Sequence, residues 1–166
     1  MVDYYGLPER RDRAWPGRAE ASTASVKLKA AMVEEALSSE IATEMGWYAM
    51  SNNRFIPFVV MHEFEALLFS NCSSFASAIG RPGLALRFQE ILNKFATPEE
   101  INDSPETAPS KRIASLVSDY QKPLLGATAA LEIGLPAVRA ACPHFDTWLS
   151  ALEERARTAA PSTPRA

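Results

Sequence analysis

Phe55-Ile56-Pro57-Phe58-Val59-Val60-Met61 is an unbroken apolar run of strand length, followed at once by His62-Glu63-Phe64-Glu65. A strand that is apolar at every position suits a sheet covered on both faces by helices, so the run predicts an α/β fold. Pro57 weakens the pattern, because proline supplies no ladder donor and prefers an edge or a strand start. Upstream, Met1-Val2-Asp3-Tyr4-Tyr5 is β-prone and stops at Gly6-Leu7-Pro8, which predicts a second strand leading into a loop. Between the two, Val26, Ala30, Val33, Leu37 and Ile41 recur every three or four residues, and Gly46 closes the pattern. This spacing predicts an amphipathic helix from Ser25 to Glu44. The charged stretch Glu9 to Ser22, with Trp15-Pro16-Gly17, predicts a loop.

Downstream, the pattern is helical. Leu84, Phe88, Ile91, Leu92 and Phe95 mark a helix that ends before Pro98, and Thr97-Pro98-Glu99-Glu100 has the composition of a capped helix start. A proline-punctuated surface loop runs from Asn102 to Pro109, after which Ser110 is expected to cap a helix beginning Lys111-Arg112-Ile113. Leu124 to Ile133, Pro136 to Ala141 and Phe145 to about Arg157 predict three more helices. The tail Thr158 to Ala166 is expected to fray. The outline is a small parallel sheet flanked by helices, then a mainly helical C-terminal half, in one domain over residues 1–157.

Composition narrows the function classes. With 17 Lys+Arg against 20 Asp+Glu, a net charge of -3 argues against coating nucleic acid by bulk charge and leaves only a local basic site. Cys72 and Cys142 have no metal-type spacing and predict reduced thiols in the cytoplasm. No uninterrupted apolar run reaches the length of a membrane span, and the start has no signal-like pattern, so membrane insertion is not expected.

Four groups of residues can carry chemistry. Asp3 lies at the carboxyl end of the first predicted strand, where parallel α/β sheets present ligand groups and where acids hold Mg²⁺; an exposed or loop-capping Asp is the plainer alternative. Glu63 and Glu65 project from one face, about 7 Å apart, if the second strand continues through them, and point apart if a helix starts at Glu63. His62 precedes them as either a ligand or a hydrogen-bonded strand end, and Ala66 rules out the zinc-protease pattern. Thr107, Ser110, Lys111 and Arg112 gather at a helix start. Cations there oppose the helix dipole, which an anion would reverse, making a phosphate site; the alternative is pairing with Asp103 or Glu106. Cys142-Pro143-His144-Phe145 offers a Cys and a His, but Pro143 and the apolar neighbours favour a buried turn under the last helix.

Met1-Val2-Asp3-Tyr4-Tyr5-Gly6-Leu7-Pro8, Arg54-Phe55-Ile56-Pro57-Phe58, His62-Glu63-Phe64-Glu65-Ala66-Leu67-Leu68-Phe69, Pro98 to Asp103, Pro105-Glu106-Thr107-Ala108-Pro109-Ser110-Lys111-Arg112-Ile113 and Cys142-Pro143-His144-Phe145 together resemble the domain of unknown function 4276 family, in order along nearly the whole chain. That family looks related to the Toprim fold, the Mg²⁺-dependent catalytic domain of topoisomerases, primases and certain nucleases, and its members often stand beside ATPases used against phage or mobile DNA. The resemblance implies a partial Toprim-like domain. It implies Asp3, Glu63 and Glu65 as catalytic or metal-holding acids, Mg²⁺ as cofactor, and an ATPase and nucleic acid as partners. The family's opening strand and its Glu-Gly-x-x-Glu-like segment have no counterpart here, so the chain is expected to correspond to the C-terminal part of such a nuclease and to be inactive alone. The alternatives are a non-catalytic adaptor subunit of an ATPase or an inactive gene fragment.

Overall fold

The computed structural model describes residues 1–9, 13–47, 55–61, 63–101 and 107–159. Strands β1 (Val2–Asp3) and β2 (Val59–Val60) pair in parallel, with Val2 beside Val59 and Asp3 beside Val60. Both are shorter than the runs that predict them. Tyr4–Gly6 turns into a 3₁₀ turn whose Tyr5 N–H is held by the Asp3 carboxylate, 2.9 Å away. Phe55 to Pro57 stay outside the ladder, as Pro57 favours, Phe58 lends it only its carbonyl, which accepts the Val2 N–H, and the apolar side chains of these residues serve packing instead.

The predicted loop between Glu9 and Ser22 contains a short helix, α1 (Arg18–Ala21). Gly17, at φ +70°, allows it to lie against the next helix: a Cβ there would stand 2.8 Å from both the Met32 carbonyl oxygen and the Ala36 Cβ. Arg18 is buried and donates to the Tyr4 carbonyl (3.2 Å) and hydroxyl (3.0 Å), with Glu9 as its ion-pair partner. The long amphipathic helix α2 (Val26–Glu44) forms as its periodicity predicts, burying Ala30, Val33 and Leu37 against Tyr4, Leu7, Val59 and Met61. These residues make the first of two cores.

The second core lies in the helical half. Short helices α3 (Phe64–Leu67), α4 (Cys72–Ala78), α5 (Ala85–Leu92), α6 (Pro109–Leu116), α7 (Lys122–Ile133) and α8 (Leu135–Ala141) precede the long α9 (Pro143–Ala159). Phe75 stacks on Phe88 and meets Phe69 edge to face, with Ile101, Ile113, Ala129 and Cys142 around them. Two helix starts differ from expectation. Pro98–Glu100 makes only a 3₁₀ turn, and Thr97 makes no capping bond. Helix α6 begins at Pro109 with Ala108 as its cap, so Ser110 lies inside the first turn. Proline suits that position because its missing N–H has no intrahelical partner to lose. Helix α9 extends two residues past Arg157, and residues 160–166 lie outside the described residues.

Segments 55–61 and 143–148 bind the two cores together. Phe58 stacks on Trp148 and packs against His144 and Phe145, while the Trp148 indole N–H donates to the Ile56 carbonyl (3.2 Å). The architecture is mostly helical with a two-stranded parallel sheet, consistent with α/β. Among the described residues no single helix is long and apolar enough to cross a membrane.

Candidate functional site at the strand ends

Because β1 and β2 are parallel and in register, Asp3 and the segment after Val60 emerge at the same end of the sheet. Glu63 is extended (φ -140°, ψ 157°) and α3 begins immediately after it, so the helical alternative holds. Glu63 and Glu65 nevertheless meet on one group. Lys122, the first residue of α7, places its Nζ 3.1 Å from Glu63 Oε1 and 3.5 Å from Glu65 Oε1. The other Glu63 oxygen accepts the Ser110 N–H at 2.8 Å. Spacing failed to decide the pairing because the link is a third residue 57 positions beyond Glu65.

The electrostatics divide the acids. Burial pushes the Glu63 carboxyl upward, but hydrogen bonds from the Ser110 side chain and backbone, together with the Lys122 ammonium, outweigh it and hold the carboxyl below its usual range. Lys122 responds in kind: burial opposes its charge, yet Glu63 and Glu65 raise its pKa, so it remains an ammonium. Asp3 goes the other way. Although the residue as a whole is exposed, loss of water around its carboxyl raises its pKa against the bonds from Tyr5 and Gly6, and the Glu63 charge adds to the rise while Lys122 reduces it. Beside this cluster the Tyr120 hydroxyl is buried with no hydrogen-bond partner among the described residues, and its pKa is raised by burial and by Glu65 and Glu63. Gly126 leaves room for it, since a Cβ there would lie 3.3 Å from that oxygen.

The proposed phosphate residues have different surroundings. The anion at the start of α6 is the chain's own Glu63 carboxylate. Arg112 donates Nε–H to the Thr107 carbonyl (2.7 Å) and lies over the Phe95 ring. Lys111 is exposed in the first turn of α6. His62, Asp103 and Glu106 lie outside the described residues. Cys142 and His144 do not work as a pair: the buried Cys142 Sγ is 3.3 Å from Ser70 Oγ, and burial pushes its thiol up to about 12. The His144 ring instead meets Glu34 at 3.0 Å.

Mg²⁺ takes oxygen ligands in an octahedral shell, commonly one or two carboxylates with substrate phosphate and water. Among the described residues no three His, Cys, Asp or Glu side chains come close enough to hold a metal. Both Glu63 oxygens have protein partners, and Glu65 shares the same ammonium. As placed, the donors do not fit a resident Mg²⁺. They form an acid–ammonium cluster that can contact an anion through the half-exposed face of Lys122, beside an Asp3 carboxyl whose ionisation the surroundings disfavour.

Sequence reasoning missed Lys122. Its signal was the one that singled out Lys111 and Arg112, a cation in a helix's first turn, here in Lys122-Pro123. The Tyr120 hydroxyl left no such mark. Comparison with known proteins gives one match: the model of the family described as Domain of unknown function (DUF4276) covers residues 1–153, and the chain belongs to that family. No curated protein and no solved structure matches.

Proposed function

We propose that this DUF4276 member is one part of a nuclease, acting on nucleic-acid phosphodiesters at the strand-end cluster together with an ATPase partner, in the manner of the Toprim-like enzymes it resembles. One observation carries the proposal: Asp3 and Glu63 leave neighbouring parallel strands at the same end, near enough for the Glu63 charge to act on the Asp3 carboxyl. Carboxyl ends of parallel strands are where α/β sheets place ligand-binding groups. Lys122 contacts a phosphate oxygen, Asp3 holds or releases a proton, and Lys111 meets the nucleic-acid backbone beyond the cluster. The setting implied by the resemblance is defence against phage or mobile DNA. Because the described acids do not assemble a metal site, the isolated chain is expected to be inactive.

The test uses the assembly recovered from the protein's own cells with its natural partners, incubated with supercoiled plasmid and labelled RNA. The assembly is expected to cut one of them, and Asp3→Asn to slow cutting by about 100-fold or more. An intact assembly that cuts neither would end the nuclease reading. Cutting by the isolated 166-residue chain would overturn the expectation that it is inactive alone. A second reading, a non-catalytic adaptor for the ATPase, is favoured by the internal engagement of both Glu63 oxygens; it predicts that Asp3→Asn leaves the assembly's output unchanged.

A further inference from the structure

The partly buried carboxylates of this fold are met by several donors. Glu34 accepts the Val59 N–H on the outer edge of β2 at 2.7 Å and meets the His144 ring, and Glu99 accepts two backbone N–H groups at the start of α9. Glu63 has the Ser110 N–H on one oxygen and Lys122 on the other. Glu65 is the exception. Its side chain is buried, yet among the described residues its one hydrogen-bond or ion-pair partner is the Lys122 ammonium at 3.5 Å. A buried carboxylate stripped of its donor is costly, so whatever draws Lys122 away must also provide for Glu65.

A matching donor stands close by. Tyr120 lies in the turn between α6 and α7, its N–H bonded to the Val117 carbonyl (3.1 Å). Its hydroxyl is buried and unpartnered among the described residues, and it lies over Gly126 of α7, where an added Cβ would stand 3.3 Å from that oxygen and 3.6 Å from the Phe64 ring. Phe64 and Glu65 open α3, so the hydroxyl sits at the same seam between α3 and α7 that the Lys122–Glu65 ion pair spans. Burial, and then the charges of Glu65 and Glu63, raise its pKa, so it keeps its proton and remains a donor. Native proteins seldom leave such a group unpaired without a use for it. The helix that carries Lys122 does not retain it: the side chain is half exposed, and its charge opposes the dipole at the start of α7.

When Lys122 turns outward, Glu63 keeps Ser110 and Glu65 keeps nothing. We infer that the Tyr120 hydroxyl is the standby donor for Glu65: as an anion draws Lys122 away, Glu65 changes rotamer and accepts the Tyr120 O–H, so no buried charge is orphaned by the exchange. Tyr120 is then a positioning residue that sets how readily Lys122 reaches a phosphate oxygen. The inference rests on the proposed reading of Lys122 as a phosphate contact, and one arm of its test does without phosphate.

The full chain is titrated with inorganic phosphate by calorimetry, with tyrosine ultraviolet difference spectra recorded alongside. Tyr120→Phe is expected to bind phosphate about 10-fold or more weakly than the wild type, the worth of a hydrogen bond to a charged group, and to lose the phosphate-induced tyrosine difference band. Without phosphate it melts at or above the wild type, because it sheds an unpaired buried hydroxyl. Equal phosphate affinity in Tyr120→Phe would overturn the inference and leave the Lys122 reading intact; a lower melting point without phosphate would overturn it by making the hydroxyl structural. Phosphate binding that is absent in the wild type, or unchanged by Lys122→Ala, would end the Lys122 reading and the inference with it. In the second arm Lys122→Ala makes the departure permanent, and its shift of the urea midpoint is expected to be larger in the Tyr120→Phe background than in the wild type. Additive shifts would overturn the inference.

Discussion

Asp3 works against the fold that holds it. Its folded pKa lies above its unfolded one, so folding is weakened as pH rises through that interval, and at neutral pH the native state carries an ionised group that it disfavours. Asp3→Asn keeps an oxygen for the Tyr5 N–H and removes the charge. It is expected to melt above the wild type at pH 7, with the gain gone near pH 3, where the unfolded carboxyl is protonated too; a lower melting point at both pH values would make the carboxylate a structural cap. Glu63 has the opposite sign. Its lowered pKa contributes stability above the unfolded value, lost as pH falls through the folded one. Lys122→Ala removes the ammonium that serves this site. With Lys122 half exposed and Glu65 buried, the loss at pH 7 is about 1–2 kcal/mol, between the values for surface and buried pairs, and urea unfolding should show it shrinking as the medium is acidified toward Glu63 protonation. Asp3, Glu63 and Glu65 were legible because each follows or ends a β-prone run. Lys122 was not singled out, because contact across 57 residues leaves no periodicity.

At the scale of elements, two carboxylates moor α9. Glu99 accepts the N–H groups of both His144 (3.0 Å) and Phe145 (2.8 Å), capping from a distance a helix whose own start carries no local cap residue. Glu99→Ala is expected to cost about 1–2 kcal/mol in chemical denaturation, the range of a lost helix cap. His144 adds a proton-linked tie to Glu34 on α2. Burial lowers the imidazole pKa, but the Glu34 hydrogen bond and the Glu34 and Glu99 charges raise it overall. A raised histidine stabilises fully below its unfolded pKa of about 6.5 and loses that contribution as pH climbs through the folded value. The gap between wild type and His144→Asn should therefore be wide near pH 6 and narrow near pH 9; a pH-independent gap would reduce the pair to packing. Helix α2 could be read from the spacing of Ala30, Val33 and Leu37 because one face does all its burial. The run Phe55–Met61 misled over its length: Phe55 is apolar to pack on the first core and Phe58 to stack on Trp148 of α9, and a one-dimensional pattern does not distinguish that burial from a sheet's. Glu99, within a stretch whose composition predicted a capped helix start of its own, instead reaches another helix, a contact that a local pattern does not show either.

For the molecule as a whole, the two cores give different handles on opening. Cys72 and Cys142 both belong to the helical core, and burial pushes their thiols up to about 11 and about 12. Neither should react with a thiol reagent at pH 8 until that core opens, so labelling rates should follow its unfolding and accelerate with denaturant; rapid labelling of native protein would show the core to be loose. The Glu34 cap on Val59 bears on a different property, the fate of crowded chains. A cross-strand ladder propagates only through units with two bare margins, and here one margin is sealed by a carboxylate that would have to leave both Val59 and His144 to open it. With the β2 margin closed in this way, the sheet cannot pass a ladder on through both of its sides, so runaway fibre growth through it is blocked.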